Sequence, residues 1–369
     1  MGVMRSLRVL PLVAMAGLGL GLESAPGVGP DGVALPGAPR AGIQDQDGGN
    51  SDDAEARGPH ADWAARLIDD GRPQLLEDLT GLACAECHQG VTEEWRRSTH
   101  ALAWVDPRYQ KELRKIRRKK GCTGCHAPEP LAGRPAKGSP RTREDDPHLG
   151  VTCTTCHLGA DGETILGPAG HATEAHPTEA HPLFDPDQGS ALCISCHDVT
   201  IGPVIGVAKD WLRSEEADGG DSCVDCHMPR VRRSWAEDPG TGEPGAVRRG
   251  RSHRIAGPRD PEFLRGAFYL EAAFTETEVV VGIQNLTGHR VPGLVGRELS
   301  LEIRGYDASG DEVARAERTF DHRSYLPLDR EAELRLEGRS MVRLEVTGTH
   351  RAPGIPKGVP FLQRTIERD

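Results

Sequence analysis

Cys84-Ala85-Glu86-Cys87-His88 is the first of five stretches that share one pattern, two cysteines three residues apart and a histidine directly after the second. The others are Cys122-Thr123-Gly124-Cys125-His126, Cys153-Thr154-Thr155-Cys156-His157, Cys193-Ile194-Ser195-Cys196-His197 and Cys223-Val224-Asp225-Cys226-His227. Together they use all ten cysteines of the chain. Two thiols at this spacing reach the two vinyl groups on one edge of a porphyrin and form thioethers, and the following histidine offers the iron an axial nitrogen. A disulfide framework accounts for an even cysteine count but not for a histidine after every pair. Zinc sites made of two pairs each leave one of five pairs over. The pattern therefore predicts five covalent haems c, with His88, His126, His157, His197 and His227 as proximal ligands.

Outward from the motifs, the N-terminal side reads as export machinery. Arg5 and Arg8 precede an apolar run over 9–22, too short for a comfortable membrane span and suited to a signal-peptide core. We expect a signal peptide over 1–25 and a Gly/Pro/Ala/Asp-rich flexible linker over 26–60. A periplasmic or extracellular protein follows, because haem c is attached after translocation. Membrane association is expected only if the leader stays uncleaved.

Hydrophobic residues are 37% of the chain and aromatics 4%, thin material for a self-sufficient core. Five flat apolar rings make up the shortfall, since apolar burial contributes roughly 25 cal/mol per Å². The expected fold class is α+β. A pentahaem domain of short helices and loops over 61–262 precedes a small antiparallel β-sandwich over 263–369. In the latter, 268–274, 279–284, 299–304 and 341–346 alternate with period two, and Asp307-Ala308-Ser309-Gly310-Asp311 reads as a hairpin turn.

A net charge of −11 argues against nucleic acid as a partner. Lys111, Arg114, Lys115, Arg117, Arg118, Lys119 and Lys120 form a local exception, on an expected helix that Gly121 ends. Two readings stay open there: a solvated helix that neutralises haem propionates, or a docking patch over 111–120 for an acidic redox partner.

Methionine is a poor source of sixth ligands in this chain. Met1, Met4 and Met15 belong to the leader, Met228 follows a proximal histidine, and Met341 lies in an expected strand. Mostly bis-histidine, low-potential haems are expected by exclusion. His100 sits on an expected helix in Trp95-Arg96-Arg97-Ser98-Thr99-His100-Ala101 and is the first distal candidate. His253 follows a Gly- and Arg-rich loop after the fifth motif, and His289 lies in the turn 285–293 between strands. Of His171, His176 and His181, one is expected to ligate, His181 or His176 before His171. His148 could reach a neighbouring haem, whereas His60, His322 and His350 read as spare or ordinary polar residues.

On these residues, the span from Cys84 to His253 resembles the multihaem cytochromes c related to hydroxylamine oxidoreductase, pentahaem nitrite reductase and the tetrahaem cytochrome of ammonia oxidation. Trp95, Ser98, His100 and Ala101 are similar to that group's distal-ligand helix, and Cys223 to Pro229 with His253 to its last haem motif with a remote cap. The turn at 285–293 inside a β-domain is similar to one in many bacterial multihaem cytochromes. The resemblance implies haem c but no single reaction. The nitrite reductases replace one motif histidine with lysine, and all five motifs here end in histidine. Electron transfer is the leading expectation. An enzyme acting on a small nitrogen or sulfur oxyanion at one open haem is the alternative.

Overall fold

In a helix, residues three and four apart share a face, so two cysteines at i and i+3 and a histidine at i+4 are aligned by a single turn. A computed structural model of the chain is built this way around each motif. It describes residues 83–368, except 118, 133–139, 171–172, 186–187, 201–205, 295, 329, 339 and 353–354. The expected leader over 1–25, the linker over 26–60, His60, His171 and Arg118 lie outside the described residues.

The first motif begins in a 3-10 turn, Ala83–Glu86, and its His88 precedes α1 (Gln89–Arg96). Helix α2 (Pro107–Lys115) follows, with Asp106 as its N-cap. The next four motifs lie on α3 (Lys120–His126), α4 (Cys153–His157), α5 (Ala191–His197) and, after α6 (Ala208–Trp211) and α7 (Glu215–Asp218), on α8 (Cys223–His227). Each of these four helices ends on its motif histidine. Thr152 and Ser222 start α4 and α8 through reciprocal capping boxes with Thr155 and Asp225.

Two small ribbons interleave with the helices. β1 (Ile165–Gly167) pairs in parallel with β2 (Thr178–Ala180), and β3 (Arg230–Ser234) runs antiparallel to β4 (Val247–Arg251). After α9 (Pro261–Arg265) come seven antiparallel strands: β5 (Phe268–Phe274), β6 (Glu278–Asn285), β7 (Glu298–Tyr306), β8 (Glu312–Phe320), β9 (Ala332–Glu337), β10 (Arg343–Ala352) and β11 (Ile355–Glu367). They form a four-stranded sheet in the order β11-β10-β7-β8 and a three-stranded sheet in the order β5-β6-β9. Burial alternates residue by residue along β9 and through most of β10, which leaves one face of each strand for the core. Val281 and Ile283 of one sheet and Leu301, Ile303, Leu344 and Val346 of the other are fully buried in one shared apolar cluster.

Three expectations need correction. The helix expected to carry His100 ends at Arg96, and His100 lies in the turns that follow. The basic helix expected over 111–120 stops at Lys115, and Gly121 lies inside α3 rather than ending a helix. The stretch read as a Gly- and Arg-rich loop before His253 ends in β4, paired with β3.

Candidate haem-binding sites

Backbone carbonyls orient four of the five motif histidines. A carbonyl oxygen only accepts, so the facing Nδ1 must carry the proton and donate. His88 Nδ1 donates to Trp235 O (2.5 Å), His126 to Ala103 O (2.6 Å), His157 to Leu166 O (2.7 Å) and His227 to Ala256 O (2.6 Å). Each Nε2 keeps its lone pair, the tautomer a metal-ligating imidazole needs.

Opposite four of the motif rings stands a second imidazole from elsewhere in the chain. Ring centres are 6.4 Å apart for His88 and His176, 6.2 Å for His197 and His100, 6.1 Å for His157 and His253, and 6.2 Å for His227 and His289. An imidazole nitrogen sits about 2 Å from a transition-metal ion, with its ring centre roughly 1 Å further back. Two rings on opposite sides of one iron therefore lie on the order of 6 Å apart, and the four pairs fit that spacing. Burial, then His197 and His227, push His100 down to about 4; burial and His157 do the same to His253. Both rings are thus neutral near pH 7, as ligands must be.

Each distal ring has its own support. Trp95 donates from Nε1 to Val151 O (2.7 Å), Val151 N donates to His100 O (3.0 Å), and Trp95, Ala101 and Leu149 form a small buried cluster. Gly150, at φ +65°, makes this approach possible, since a Cβ there would lie 2.5 Å from His100 O. His253 is held by Glu94 of α1, which accepts from His253 N (2.6 Å), Ser252 Oγ (3.1 Å) and both Arg233 Nη atoms (2.8 and 3.0 Å). His289 sits in a turn closed by Asn285, whose Nδ2 donates to His289 O (2.8 Å), and by Arg290, whose Nη2 donates to Asp210 Oδ1 of α6 (2.7 Å). His176 lies just before β2, where its N–H bonds Thr173 Oγ1 (3.2 Å) and its buried Nδ1 has no partner among the described residues.

His181 stands apart. Its Nδ1 accepts from Leu183 N (3.3 Å) and caps the 3-10 turn Pro182–Phe184, with no second imidazole at that spacing among the described residues. His126 also differs. Tyr109 of α2 stacks on its ring, 3.6 Å between centres and 4° from parallel, and among the described residues no second imidazole faces it at about 6 Å. His148 lines a shallow cavity of about 290 Å³ with Trp104, Val105 and Arg114. His350 is fully buried in the sandwich.

Sequence reasoning missed Glu94, Tyr109 and Asp210. Glu94 and Asp210 lie on short helices where nothing marks one charged residue from another. Pro107-Arg108-Tyr109 after a capping aspartate is a helix-start signal, but it does not say what the tyrosine meets.

Thiol contacts order the motifs in space. Cys84 lies beside Cys153, Cys125 beside Cys196, and Cys193 beside Cys223, while Cys156 acts electrostatically on both Cys193 and Cys196. Motif three thus neighbours motifs one and four, and motif four also neighbours motifs two and five.

No curated protein sequence matches the chain. A family model described as cytochrome c554 and c-prime matches residues 83–158, which hold the first three motifs. Among solved structures, a penta-heme cytochrome c552 from Thermochromatium tepidum aligns over 77% of this chain and 97% of its own, at 19% identity and a TM-score of 0.52. A glycosyl hydrolase family 2 member from Bacteroides cellulosilyticus covers 28% of this chain and 13% of its own, at 16% identity and a TM-score of 0.18, too low to bear on the fold. Among the described residues no helix is long and apolar enough to cross a membrane. The chain has the fold of a multihaem c-type cytochrome.

Proposed function

We propose that this protein carries electrons through five haems c, joined to the ten motif cysteines and ligated by His88, His126, His157, His197 and His227. Four irons are held between two imidazoles, with His176, His253, His100 and His289 as the sixth ligands of the first, third, fourth and fifth haems. The observation that carries this reading is the set of four imidazole pairs at 6.1–6.4 Å. When bound, the haems supply the one-electron chemistry. The chain's residues set their spacing, ligation and local field. The carbonyl partners of the proximal rings keep Nε2 basic, which favours the ferric state.

Spectroscopic haem counting should give five per chain, and the oxidised protein should show low-spin ferric signals from four of them. A count of three, or a uniformly high-spin spectrum, would sink the reading.

A second reading rests on His126, whose ring is flanked by the stacked Tyr109 and has no second imidazole at about 6 Å among the described residues. A haem there with a free sixth position could bind a small nitrogen or sulfur oxyanion. Addition of nitrite or hydroxylamine should then shift one high-spin signal and leave the low-spin set unchanged. No response to either ligand would remove this reading while sparing the first.

The working compartment is the periplasm or the cell exterior, in keeping with haem attachment after export and a leader over 1–25. An acidic redox partner is proposed at 111–120, where Lys111, Arg114, Arg117 and Lys119 are exposed. Reversal of Lys111 and Arg114 should slow partner reduction and flatten its salt dependence.

A further inference from the structure

Next to the second motif, Arg259 and Arg297 from the distal part of the chain gather beside Asp106 and Arg108 at the start of α2. Asp106 spends Oδ1 on capping α2, accepting from Arg108 N (2.9 Å) and Tyr109 N (3.0 Å). Its Oδ2 faces Arg259 Nη2 at 3.7 Å, too long for a strong hydrogen bond. Arg297, at the approach to β7, lies within electrostatic range of Asp106, Arg108 and Arg259. Its Nη1 is buried and has no hydrogen-bond partner among the described residues. The Arg108 guanidinium rests on Gly296 at φ +74°, where a Cβ would come within 1.8 Å of Nη1. Only glycine lets that cation lie against the backbone.

The charges do not balance. Neither Arg108 nor Arg297 has an ion-pair partner among the described residues, and Asp106 already spends one oxygen on the cap of α2. Burial holds Arg297 below the ordinary arginine value, and Arg108 lowers it further. Converging buried cations are costly unless an anion joins them. The cluster also lies close to the second motif. Arg108 adjoins Tyr109, whose ring stacks on His126, and the charge of Asp106 acts on His126.

We infer that Arg297 and Arg108, with Arg259 beside them on Asp106, form an anion seat for a carboxylate or small oxyanion beside the haem of the second motif. The inference rests on the reading that this motif bears a haem. Two sources offer the right chemistry: a propionate of that haem, or a free oxyanion from solution. Asp106 remains as the group that keeps the three cations together before the anion arrives.

The test uses the holoprotein, with Arg297→Gln as the disrupting variant and Arg297→Lys as the charge-retaining control. Resonance Raman spectra report the propionate-bending band, and calorimetry with inorganic phosphate reports a free-anion site. If the anion is a propionate, the band shifts in Arg297→Gln, returns in Arg297→Lys, and phosphate gives no heat in any form. If it is a free oxyanion, phosphate binds the wild type and binds Arg297→Gln at least ~10-fold more weakly, the loss of one charged hydrogen bond. An unmoved band together with no phosphate binding in the wild type overturns the seat. Peptide mapping separates the two failures: a bare Cys122–Cys125 peptide refutes the haem reading, and a haem-bearing one refutes the arginine seat alone.

Discussion

The two halves of the described chain hold themselves together by different means. From Phe268 onward, seven strands bury Val281, Ile283, Leu301, Ile303, Leu344 and Val346 against one another, a core made wholly of side chains. Between Ala83 and Asp260, the one apolar cluster among the described residues is Trp95, Ala101 and Leu149. Helices of four to nine residues are too short to persist alone. One half owns its core, and the five Cys-x-x-Cys-His motifs lie in the other, where the proposed haems would supply one.

The sharpest way to break this contrast is to withhold haem. The chain expressed without haem attachment should lose amide protection throughout 83–260 and keep it in β5, β6, β7 and β10. Equal protection in both halves by hydrogen exchange would end the comparison. Ile303→Ala should cost about 2–5 kcal/mol in the sandwich, read as a lower denaturant midpoint, with the Soret band unchanged in native conditions. Glu94→Ala leaves Arg233 without its bidentate partner and frees His253 N, at a cost of about 2–3 kcal/mol. One low-spin signal should turn high-spin in that variant, because His253 loses its anchor.

Acid should act on the seam between α6 and the His289 turn. Burial opposes ionisation of Asp210, yet its hydrogen bonds from Arg290 hold the carboxyl below the usual value. A depressed folded-state value gives stability that is present above the unfolded value, about 3.9, and is lost as pH falls through the folded one. Urea midpoints should therefore fall as pH drops below about 4, and Asp210→Asn should start lower and lack that part of the slope. At the small end, His181→Ala should leave every haem spectrum unchanged, since His181 caps a turn. A new high-spin signal there would return His181 to the ligand set.

Much of the molecule is legible in its sequence. The motifs point to one chemistry because two thioethers and an axial nitrogen would require those residues at that spacing. Strand β5 matches the alternation over 268–274 residue for residue, because one of its faces meets the core. Strand β8 carries no such signal, since Glu312 to Thr319 is charged and mostly exposed at a sheet edge and offers no apolar rhythm. The β3–β4 ribbon is hidden for the same reason, with Arg230, Arg232, Arg248 and Arg249 in its strands. Five-residue spacing cannot choose between His176 and His181. That choice depends on β1 pairing with β2, which brings the segment past the first motif. The His100 segment reads as helix because helical and turn sequences look alike there. The Trp95–Val151 hydrogen bond that pins the segment to the third motif is a long-range contact with no local sequence signal.

Cys125 lies beside Cys196, so a haem on the second motif would branch from the others at the fourth. The basic segment 111–120 proposed for docking leads straight into that second motif. A partner seated there would load the branch first, and the branch would then serve as the entrance to the row.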